Sequence, residues 1–541
     1  MQNTLIFPNF VSNFQFKTNF MRNICLIILI NITFAGCTFS QIPTNRKTAN
    51  DYVKPYNGVF RYGSNMGYYS PYTDEQLADI AAKAGINSLR PGFFEFFAEY
   101  WGDNIRDNAF KHYGDLGMTE NVCFIGYPSP EHRDKTVYCG KDTSVLFANM
   151  YEPIWDKGEN GTPVNDKNYY ALFVYKTVNR FKNSVKFWEI WNEPDFGTTF
   201  KTEMAPGLPG AWWNTNPDPC EYALHAPVQH YIRLLRISYE VIKSVDPDAY
   251  VCTGGIGFPS FLDIILRQTD NPSDGSVTPQ YPLKGGAYFD VLSYHSYPHI
   301  DNSVREWSDK ISGFQYSRHS DKAVSGIFKR KTAFDEVLNK FGYNNSKFPK
   351  KHFMITECNI PAKAVGEFMG SYEAQRNFIT KAAVKSQEQG LLQFHVYSLG
   401  ELTLEKDTRN EFDLMGLYQK LEGEKVYTSP LTPTGVAYHT ISKILYGYKY
   451  DAVETQKLKL PLEIDGAAFK NPQTNALIYC LWAKTMKDQS EQAAAMYSFS
   501  DALNLKQVSM MQWDFSQTLK MEVIASKNIK LTASPLFFMR K

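Results

Sequence analysis

The segment that decides the fold is Phe187-Trp188-Glu189-Ile190-Trp191-Asn192-Glu193-Pro194-Asp195, in which an aromatic and apolar run ends abruptly in Asn-Glu-Pro. A run of this composition is typical of a buried β-strand. Pro194 cannot donate to a strand ladder, and it favours extended backbone geometry at Glu193. We therefore expect a strand that stops with the Glu193 carboxylate at its C-terminal edge.

Seven more runs of strand length lie before and after this segment, and they alternate with stretches of helical periodicity. Such alternation is typical of a parallel α/β fold. Eight strands of this kind predict a (β/α)8 TIM barrel, and no glycine-rich phosphate loop follows the first strand to favour a doubly wound sheet. The predicted strands are 58–62, 88–91, 122–127, 187–191, 250–254, 289–295, 352–356 and 392–397. The predicted helices are 74–84, 169–181, 227–245, 327–341, 371–389 and 434–445, with the second and fifth helices of the barrel poorly marked.

The connections that follow the strands are long, whereas the returns from helix to strand are short. In a barrel, the connections after the strands all emerge on the C-terminal face, where active sites lie. The sequence therefore predicts a walled cleft at that face. The long connections are 126–168, 196–227, 258–287 and 297–326.

The N-terminal residues resemble an export signal. Arg22 is followed by an apolar run at 24–35, which is well short of the roughly 20 residues that span a bilayer. The run ends in Phe34-Ala35-Gly36-Cys37, which resembles a bacterial lipoprotein box. We expect an exported protein whose one membrane attachment is a lipid on Cys37, with simple cleavage to a periplasmic or secreted protein as the alternative. Met21 is an alternative start.

From residue 447 the sequence changes to short alternating segments separated by turns, which is typical of an antiparallel β-sandwich. This domain is expected to stabilise the barrel by packing, or alternatively to bind carbohydrate. The predicted segments are a signal at 1–37, a polar tether at 38–51, the barrel at 52–446 and the β-sandwich at 447–541.

Charge and cysteine spacing exclude several classes of partner. Lys and Arg number 57 against 56 Asp and Glu, so the chain lacks the basic excess that nucleic-acid binding needs. The cysteines show no paired spacing of a zinc site, and neither a metal nor a cofactor is expected. Cys139 and Cys220 lie in loop-like stretches and are candidates for a disulfide in an oxidising compartment.

The sequence Trp191-Asn192-Glu193-Pro194 resembles the end of the fourth strand in retaining glycoside hydrolases of clan A, and the chain looks nearest to family 39 and family 5-like enzymes. In that clan the glutamate of this motif is the general acid and base, and a second carboxylate ends the seventh strand. Ile355-Thr356-Glu357 ends the seventh strand predicted here. The resemblance therefore implies Glu193 as acid/base and Glu357 as nucleophile. Two carboxylates about 5–5.5 Å apart cleave a glycosidic bond with retention, through a covalent glycosyl-enzyme.

The same resemblance implies roles for four neighbours. Asn192 would bind the sugar 2-hydroxyl, and Arg90 at the end of strand two would keep Glu357 ionised. His295 and Tyr297 match an H-x-Y pattern at the end of strand six, where the histidine lines the sugar site and the tyrosine hydroxyl holds Glu357. The further candidates for contact with sugar are Asn65 after strand one, Trp213 in the loop after strand four, and His395 and Tyr397 at strand eight.

The predicted function is hydrolysis of a polysaccharide or oligosaccharide, which is the expected partner. A transglycosylase with the same residues is one alternative, and a non-catalytic glycan-binding lipoprotein is another. The loss of either glutamate would mark the non-catalytic protein, and both are present. A local basic patch for a sulfated or uronic glycan is compatible with the neutral charge, and Arg133, Arg305 and Arg318 are candidates for it.

Overall fold

The computed structural model describes residues 47–197 and 199–540. The predicted signal, Cys37 and most of the predicted tether lie outside these residues. Residues 47–51, at the end of that tether, lie against the barrel, because Ala49 is fully buried and its N–H donates to the carbonyl of Ala287 at 2.9 Å. Among the described residues, no helix has the length and apolar character to cross a bilayer.

Within the described residues, nine parallel strands form one sheet that curls into a nearly closed barrel. The barrel and the hairpin inserted after its sixth position contain β1 (Arg61–Asn65), β2 (Ser88–Arg90), β3 (Gly92–Phe94), β4 (Asn121–Gly126), β5 (Val185–Ile190), β6 (Tyr250–Cys252), β7 (Val291–Ser296), β8 (Arg305–Ser308), β9 (Gly313–Tyr316), β10 (His352–Cys358) and β11 (Gln393–Val396). The order across the sheet is β2-β1-β11-β10-β7-β6-β5-β4-β3, and β8 pairs with β9 as the antiparallel hairpin.

The two edges of this sheet, β2 and β3, are separated in the chain only by Pro91. β2 pairs with β1, whereas β3 pairs with β4. Pro91 has no N–H to donate, and its carbonyl accepts the N–H of Phe124 at 3.1 Å, so it lies where the strand changes from one neighbour to the other. The two pieces fill one barrel position, which confirms the predicted count of eight.

Helices cover the outside of the barrel. Thr73 caps α1 with a reciprocal capping box to Gln76, and Asn168 caps α4 through its side chain. The two barrel helices without a clear pattern are short: α2 and α3 occupy the second position and α6 the fifth. The helices are α1 (Asp74–Lys83), α2 (Glu95–Trp101), α3 (Asp107–Asp115), α4 (Tyr169–Phe181), α5 (Val228–Val245), α6 (Pro259–Arg267), α7 (Ser320–Lys340), α8 (Tyr372–Glu388), α9 (Pro433–Leu445), α10 (Ala452–Lys457) and α11 (Phe515–Thr518).

The barrel interior has an apolar lower layer, nearer the N-terminal ends of the strands, and a polar upper layer, nearer their C-terminal ends. The lower layer contains Val122, Phe187, Tyr250, Cys252, Val291, Met354 and Leu392. Side chains alternate between the two faces of a strand, so the residues two positions beyond Phe187, Val291 and Met354 also face inward. These residues are Glu189, Ser293 and Thr356. The lower layer thus excludes water from beneath a polar layer at the C-terminal end.

The C-terminal residues form two antiparallel sheets that share a core. Leu481 and Phe538 of the larger sheet belong to the same buried cluster as Tyr497 and Leu531 of the smaller one, as expected for a sandwich. The six-stranded sheet has the order β12-β13-β14-β19-β16-β17, and β15 pairs with β18. The strands are β12 (Lys449–Tyr450), β13 (Ile464–Lys470), β14 (Leu477–Ala483), β15 (Ala494–Tyr497), β16 (Gln507–Met511), β17 (Glu522–Ala525), β18 (Ile529–Thr532) and β19 (Leu536–Arg540).

Polar contacts fasten these sheets to α7 and α8. The indole N–H of Trp482 donates to Asp321 at 2.9 Å, and Lys385 donates to Asp465 at 2.8 Å. The sheets therefore pack against one side of the barrel, along α7 and α8.

Candidate active site

Glu193 stands at the barrel mouth on a turn of unusual backbone conformation. Trp191 and Glu193 have φ angles of +75° and +48°, a backbone region that residues other than glycine seldom adopt. The turn is held at both ends: the N–H of Trp191 donates to Ile125 at 3.0 Å, and that of Glu193 to Gly254 at 2.6 Å. Backbone strain of this kind recurs at functional sites, where the surrounding structure maintains it.

Glu357 reaches the interior through an irregularity in β10. Strict alternation would direct Met354 and Thr356 inward and Glu357 outward. The pairing with β7 shifts register between Ile355 and Glu357, so that Glu357 lies opposite His295. Both Thr356 and Glu357 consequently contact interior residues. A β-bulge is a known means of redirecting a side chain beside an active site.

Arg90 is the centre of the polar layer. Its Nε donates to Glu189 at 2.6 Å, and Nη1 donates to Glu357 at 2.6 Å and to Asn65 at 2.9 Å. Its Nη2 donates to Asn192 at 2.7 Å. Burial alone would lower the pKa of Arg90, but the charges of Glu189 and Glu357 outweigh burial and raise it, so the guanidinium stays cationic.

Both oxygens of Glu357 are held. Oε1 accepts from Arg90, and Oε2 accepts from the hydroxyl of Tyr297 at 2.6 Å. Burial and the neighbouring Glu357 charge raise the pKa of Tyr297 well above its ordinary value, so the hydroxyl keeps its proton and donates. These two hydrogen bonds hold the Glu357 carboxyl group in one orientation.

Glu193 has a different environment. Its Oε1 lies 2.8 Å from Nδ1 of His295, and its side chain is 33% exposed, against 12% for Glu357. Nε2 of His295 lies 3.0 Å from the hydroxyl of Thr356, which itself donates to Glu189. Burial lowers the pKa of His295, but the Glu357 charge and the hydrogen bond to Glu193 outweigh burial, so the pKa is raised.

The two carboxylates are close enough to act on one bond. Carboxylate oxygens of Glu193 and Glu357 and a ring nitrogen of His295 all lie within 4.8 Å of one another. A carboxylate–imidazole–carboxylate group of this size also matches the donor set of a metal site. Arg90 donates to Glu357 at 2.6 Å, and its positive charge opposes a cation at that position.

Close backbone packing makes room for His295. Gly255, just beyond β6, has a φ of +65°, and a Cβ atom there would collide with the His295 ring. Glycine meets both requirements, since it adopts positive φ without a steric penalty and leaves the space free.

Two cavities open beside these residues and share Asn192 in their walls. The first has a volume of about 170 Å³, and its lining includes Asn65, Arg90, Glu357 and Tyr397. The second has a volume of about 300 Å³. Its wall contains Trp191 and Tyr127, whose rings stack at 4.3 Å.

The structure brings most of the predicted site residues together. Glu193, Glu357, Asn192, Arg90, His295 and Tyr297 are joined by the contacts above, and Tyr397 lines the first cavity with its ring 5.9 Å from that of Tyr297. Trp213 is separate from them: it lines neither cavity, and its carbonyl accepts from Arg267 at 2.8 Å. His395 is fully buried beside Gln393, and burial lowers its pKa to about 3.

Glu189 is an important residue that the sequence analysis missed. It is fully buried, and it accepts from Arg90, Ser293 and Thr356. The sequence does indicate its position, because Glu189 lies two residues after Phe187 in an apolar strand and therefore faces the interior. A carboxylate in that position requires a cation beside it.

Cys139 and Cys220 form the predicted disulfide, which links two loops. Cys139 lies in the loop after β4 and Cys220 in the loop after β5, and 81 residues separate them. The N–H of Val145 also donates to Leu224 across the same two loops at 3.2 Å. The wall of the second cavity, to which both loops contribute, is thereby fixed.

Comparisons with known proteins show the fold. No model of a protein family and no curated protein matches the chain. Among solved structures, a family 39 glycoside hydrolase from Bacteroides cellulosilyticus WH2 is similar with a TM-score of 0.56 and 15% identity, over 89% of this chain and 81% of that chain. A conserved exported protein from Bacteroides fragilis is similar with a TM-score of 0.51 and 11% identity, over 90% of this chain and 98% of that chain. The chain therefore has the (β/α)8 fold seen in glycoside hydrolases of clan A.

Proposed function

We propose that this protein is a retaining glycoside hydrolase, which cleaves O-glycosidic bonds of a polysaccharide or oligosaccharide by double displacement. The observation that carries the proposal is the pair of carboxylates, Glu193 and Glu357, with oxygens within 4.8 Å of each other at the barrel mouth. That spacing is close to the roughly 5–5.5 Å of retaining enzymes and shorter than the roughly 6.5–9.5 Å at which inverting enzymes place a water between their carboxyl groups.

Glu357 is the nucleophile in this proposal. Arg90 places a positive charge against it, and the two hydrogen bonds to its oxygens orient it toward the cavity that Arg90 and Tyr397 line. An ionised, oriented carboxylate attacks the anomeric carbon, forms the glycosyl-enzyme bond and expels the leaving-group oxygen.

Glu193 is the acid/base. It is the more exposed of the two carboxyl groups, and no arginine contacts it among the described residues. Protonated Glu193 donates its proton to the leaving oxygen, and the resulting carboxylate then takes a proton from the water that attacks the glycosyl-enzyme. His295 holds the carboxyl group through Nδ1 in both steps.

Asn192 binds the sugar in this mechanism. Its Oδ1 accepts from Arg90 at 2.7 Å, so its amide nitrogen is left to donate to a sugar hydroxyl. Such a contact with the 2-hydroxyl strengthens as positive charge develops on the ring in the transition state. The ring of Tyr397 supplies a flat surface for the same sugar.

We also infer that the protein is exported, as a lipoprotein anchored through Cys37 or as a periplasmic or secreted protein after signal cleavage. The apolar run before Cys37 and the Cys139–Cys220 disulfide, which fits an oxidising compartment, support this inference. Cys37→Ser should move a lipoprotein from the membrane fraction to the soluble fraction, and it should change nothing if the signal is simply cleaved.

The catalytic proposal is tested by screening a glycan panel and then adding azide to two variants. Glu357→Ala should lose hydrolysis and form a glycosyl azide of inverted configuration, because azide then displaces the leaving group in one step. Glu193→Ala should form a glycosyl azide of retained configuration, because azide attacks the glycosyl-enzyme. Exchanged configurations would reverse the two roles, and binding without hydrolysis of any glycan would favour the non-catalytic alternative. Transfer to a sugar acceptor in place of water would identify a transglycosylase.

A further inference from the structure

Two of the arginines that line the cavities are neutralised by carboxylates. Arg90 contacts Glu189 and Glu357, both at 2.6 Å. Arg106, in the first cavity, lies 3.4 Å from Asp74 and also donates to a tyrosine hydroxyl. Their positive charges stabilise the protein's own acidic groups and are not available to an anionic ligand.

Arg133, in the second cavity, has no such partner. Its Nε donates to the carbonyl of Ser144 at 2.8 Å, and Nη2 lies 3.5 Å from the hydroxyl of Thr143. Within the part of the chain that the structure describes, no carboxylate forms an ion pair with it. The neighbouring Asp134 instead accepts from Thr136 and Tyr138. The guanidinium is therefore held by neutral groups on one side and keeps protons on Nη1 to donate.

The rest of the second cavity fits a sugar. Trp191 and Tyr127 form an aromatic wall, and Asn192 joins this cavity to the one that contains Glu357. The volume of about 300 Å³ lies in the range of small-ligand pockets. Arg133 is the only charged residue among the described residues that line it.

The position of Arg133 is also fixed before any ligand binds. A β-bridge joins Arg133 to Phe147, and the Cys139–Cys220 disulfide fastens its loop to the loop that supplies Ala223 to the same wall. A preorganised cation binds its ligand with a smaller loss of conformational entropy than a mobile one.

We propose that Arg133 binds the anionic group of a sugar unit in the second cavity, so that the substrate is a glycan with carboxylate or sulfate groups; this rests on the function proposed above. Near the mouth, Glu189 and Glu357 share the single guanidinium of Arg90, so an anionic sugar would meet a net negative charge there and needs a further cation. A guanidinium donates to the paired oxygens of a carboxylate or sulfate, whereas a neutral sugar makes no use of its charge.

The other two arginines considered from the sequence are less suited to this role. Arg318 is paired with Asp488 at 2.7 Å. Arg305 lies on the hairpin strand β8, donates to Asn302 at 2.7 Å and lines neither cavity. Arg305→Gln therefore serves as a control that removes one positive charge from the loops without altering the second cavity.

The test compares Arg133→Gln, Arg133→Lys and Arg305→Gln on matched pairs of oligosaccharides. One set of pairs contains uronic oligosaccharides before and after reduction of their carboxylates to alcohols, and the other contains sulfated oligosaccharides before and after desulfation. The unmodified protein should prefer the anionic member of one set by about ten- to hundredfold in kcat/KM, which is the range expected of a charge-assisted hydrogen bond. Arg133→Gln should reduce this ratio toward one, mainly through KM. Arg133→Lys should keep part of it, and Arg305→Gln should keep all of it.

The same pairs are compared by calorimetric binding to Glu357→Gln, with and without Arg133→Gln, so that the outcome does not depend on hydrolysis. A preference for the anionic member that Arg133→Gln leaves unchanged would overturn the inference, and so would binding or hydrolysis with no preference in either set. Preferential binding that Arg133→Gln abolishes, with no hydrolysis by the unmodified protein, would uphold the inference and overturn the proposed hydrolase.

Discussion

Arg90 and Glu189 form an ion pair inside the barrel, with Nε 2.6 Å from Oε2 and side chains that are 1% and 0% exposed. Glu189 also accepts from Ser293 and Thr356, so its position is fixed by three strands. Arg90 in turn donates to Glu357. The orientation of the proposed nucleophile therefore depends on a carboxylate that does not reach the cavity, which makes Glu189 a positioning residue.

Glu189→Gln should lower kcat by about tenfold or more with a smaller change in KM, because Arg90 loses the charge that orients it. The free energy of unfolding should fall by about 1–3 kcal/mol, the cost of weakening a buried, charge-assisted contact. Steady-state kinetics and urea unfolding measure the two effects. Glu120→Gln is the control: Glu120 pairs with Arg61 at 2.8 Å, away from Glu357, and its loss should affect stability alone. Equal effects of the two variants on kcat would contradict the positioning role.

Tyr297→Phe should lower kcat/KM by about ten- to hundredfold, because Glu357 loses a hydrogen bond to Oε2 that is worth about 1–3 kcal/mol to a charged acceptor. The matched variant is Tyr294→Phe on β7, whose hydroxyl donates to the carbonyl of Ile327 at 3.3 Å on the helical side of the barrel. Kinetic assays should show normal turnover for that variant. A similar loss of activity in both variants would indicate a general disturbance of the strand.

His295 should make stability depend on pH. Its pKa is raised from the ordinary value of 6.5 because the Glu357 charge and the bond to Glu193 outweigh burial. A raised pKa contributes stability that is fully present below 6.5 and is lost as pH rises through the higher folded-state value. The difference in unfolding free energy between the unmodified protein and His295→Asn should therefore be largest in mild acid and shrink toward alkaline pH. Urea unfolding across that range measures it.

His439→Gln should show the opposite pH dependence of the unfolding free energy in the same experiment. Burial and Lys443 lower the pKa of His439, so its contribution to stability should be fully present above 6.5 and be lost as pH falls through the lower folded-state value. Parallel pH profiles for the two histidine variants would contradict the opposite directions in which the folded protein shifts the pKa values of His295 and His439.

Removal of the Cys139–Cys220 disulfide should lower the unfolding free energy by about 4.5 kcal/mol, which is the entropic value for a closed loop of this length. The double variant Cys139→Ser/Cys220→Ser avoids a free thiol. Since the bond fixes a wall of the second cavity, KM should rise more than kcat falls. Thermal unfolding with kinetics on an oligosaccharide tests this, and a large fall in kcat with unchanged KM would contradict it.

Strand positions were predictable from the sequence because each barrel strand is a short buried run followed by a polar loop. The split of strand two was not, since the change of partner at Pro91 depends on where β1 and β4 lie in space. The inward direction of Glu357 also depends on a register shift that strict alternation does not contain. Glu189 was predictable, because it lies two residues after Phe187 and so faces the same side of the strand. The absence of a carboxylate partner for Arg133 among the described residues was not predictable, because it depends on how the loops fold.

Double displacement by Glu193 and Glu357 fixes the anomeric configuration of the first-formed product, which is therefore the decisive measurement. Proton NMR would follow an early time course of hydrolysis by the unmodified protein on the best oligosaccharide of the panel, before mutarotation. We predict that the product first appears with the anomeric configuration of the substrate and that the other anomer grows in later. A product of inverted configuration at the earliest time would contradict the account.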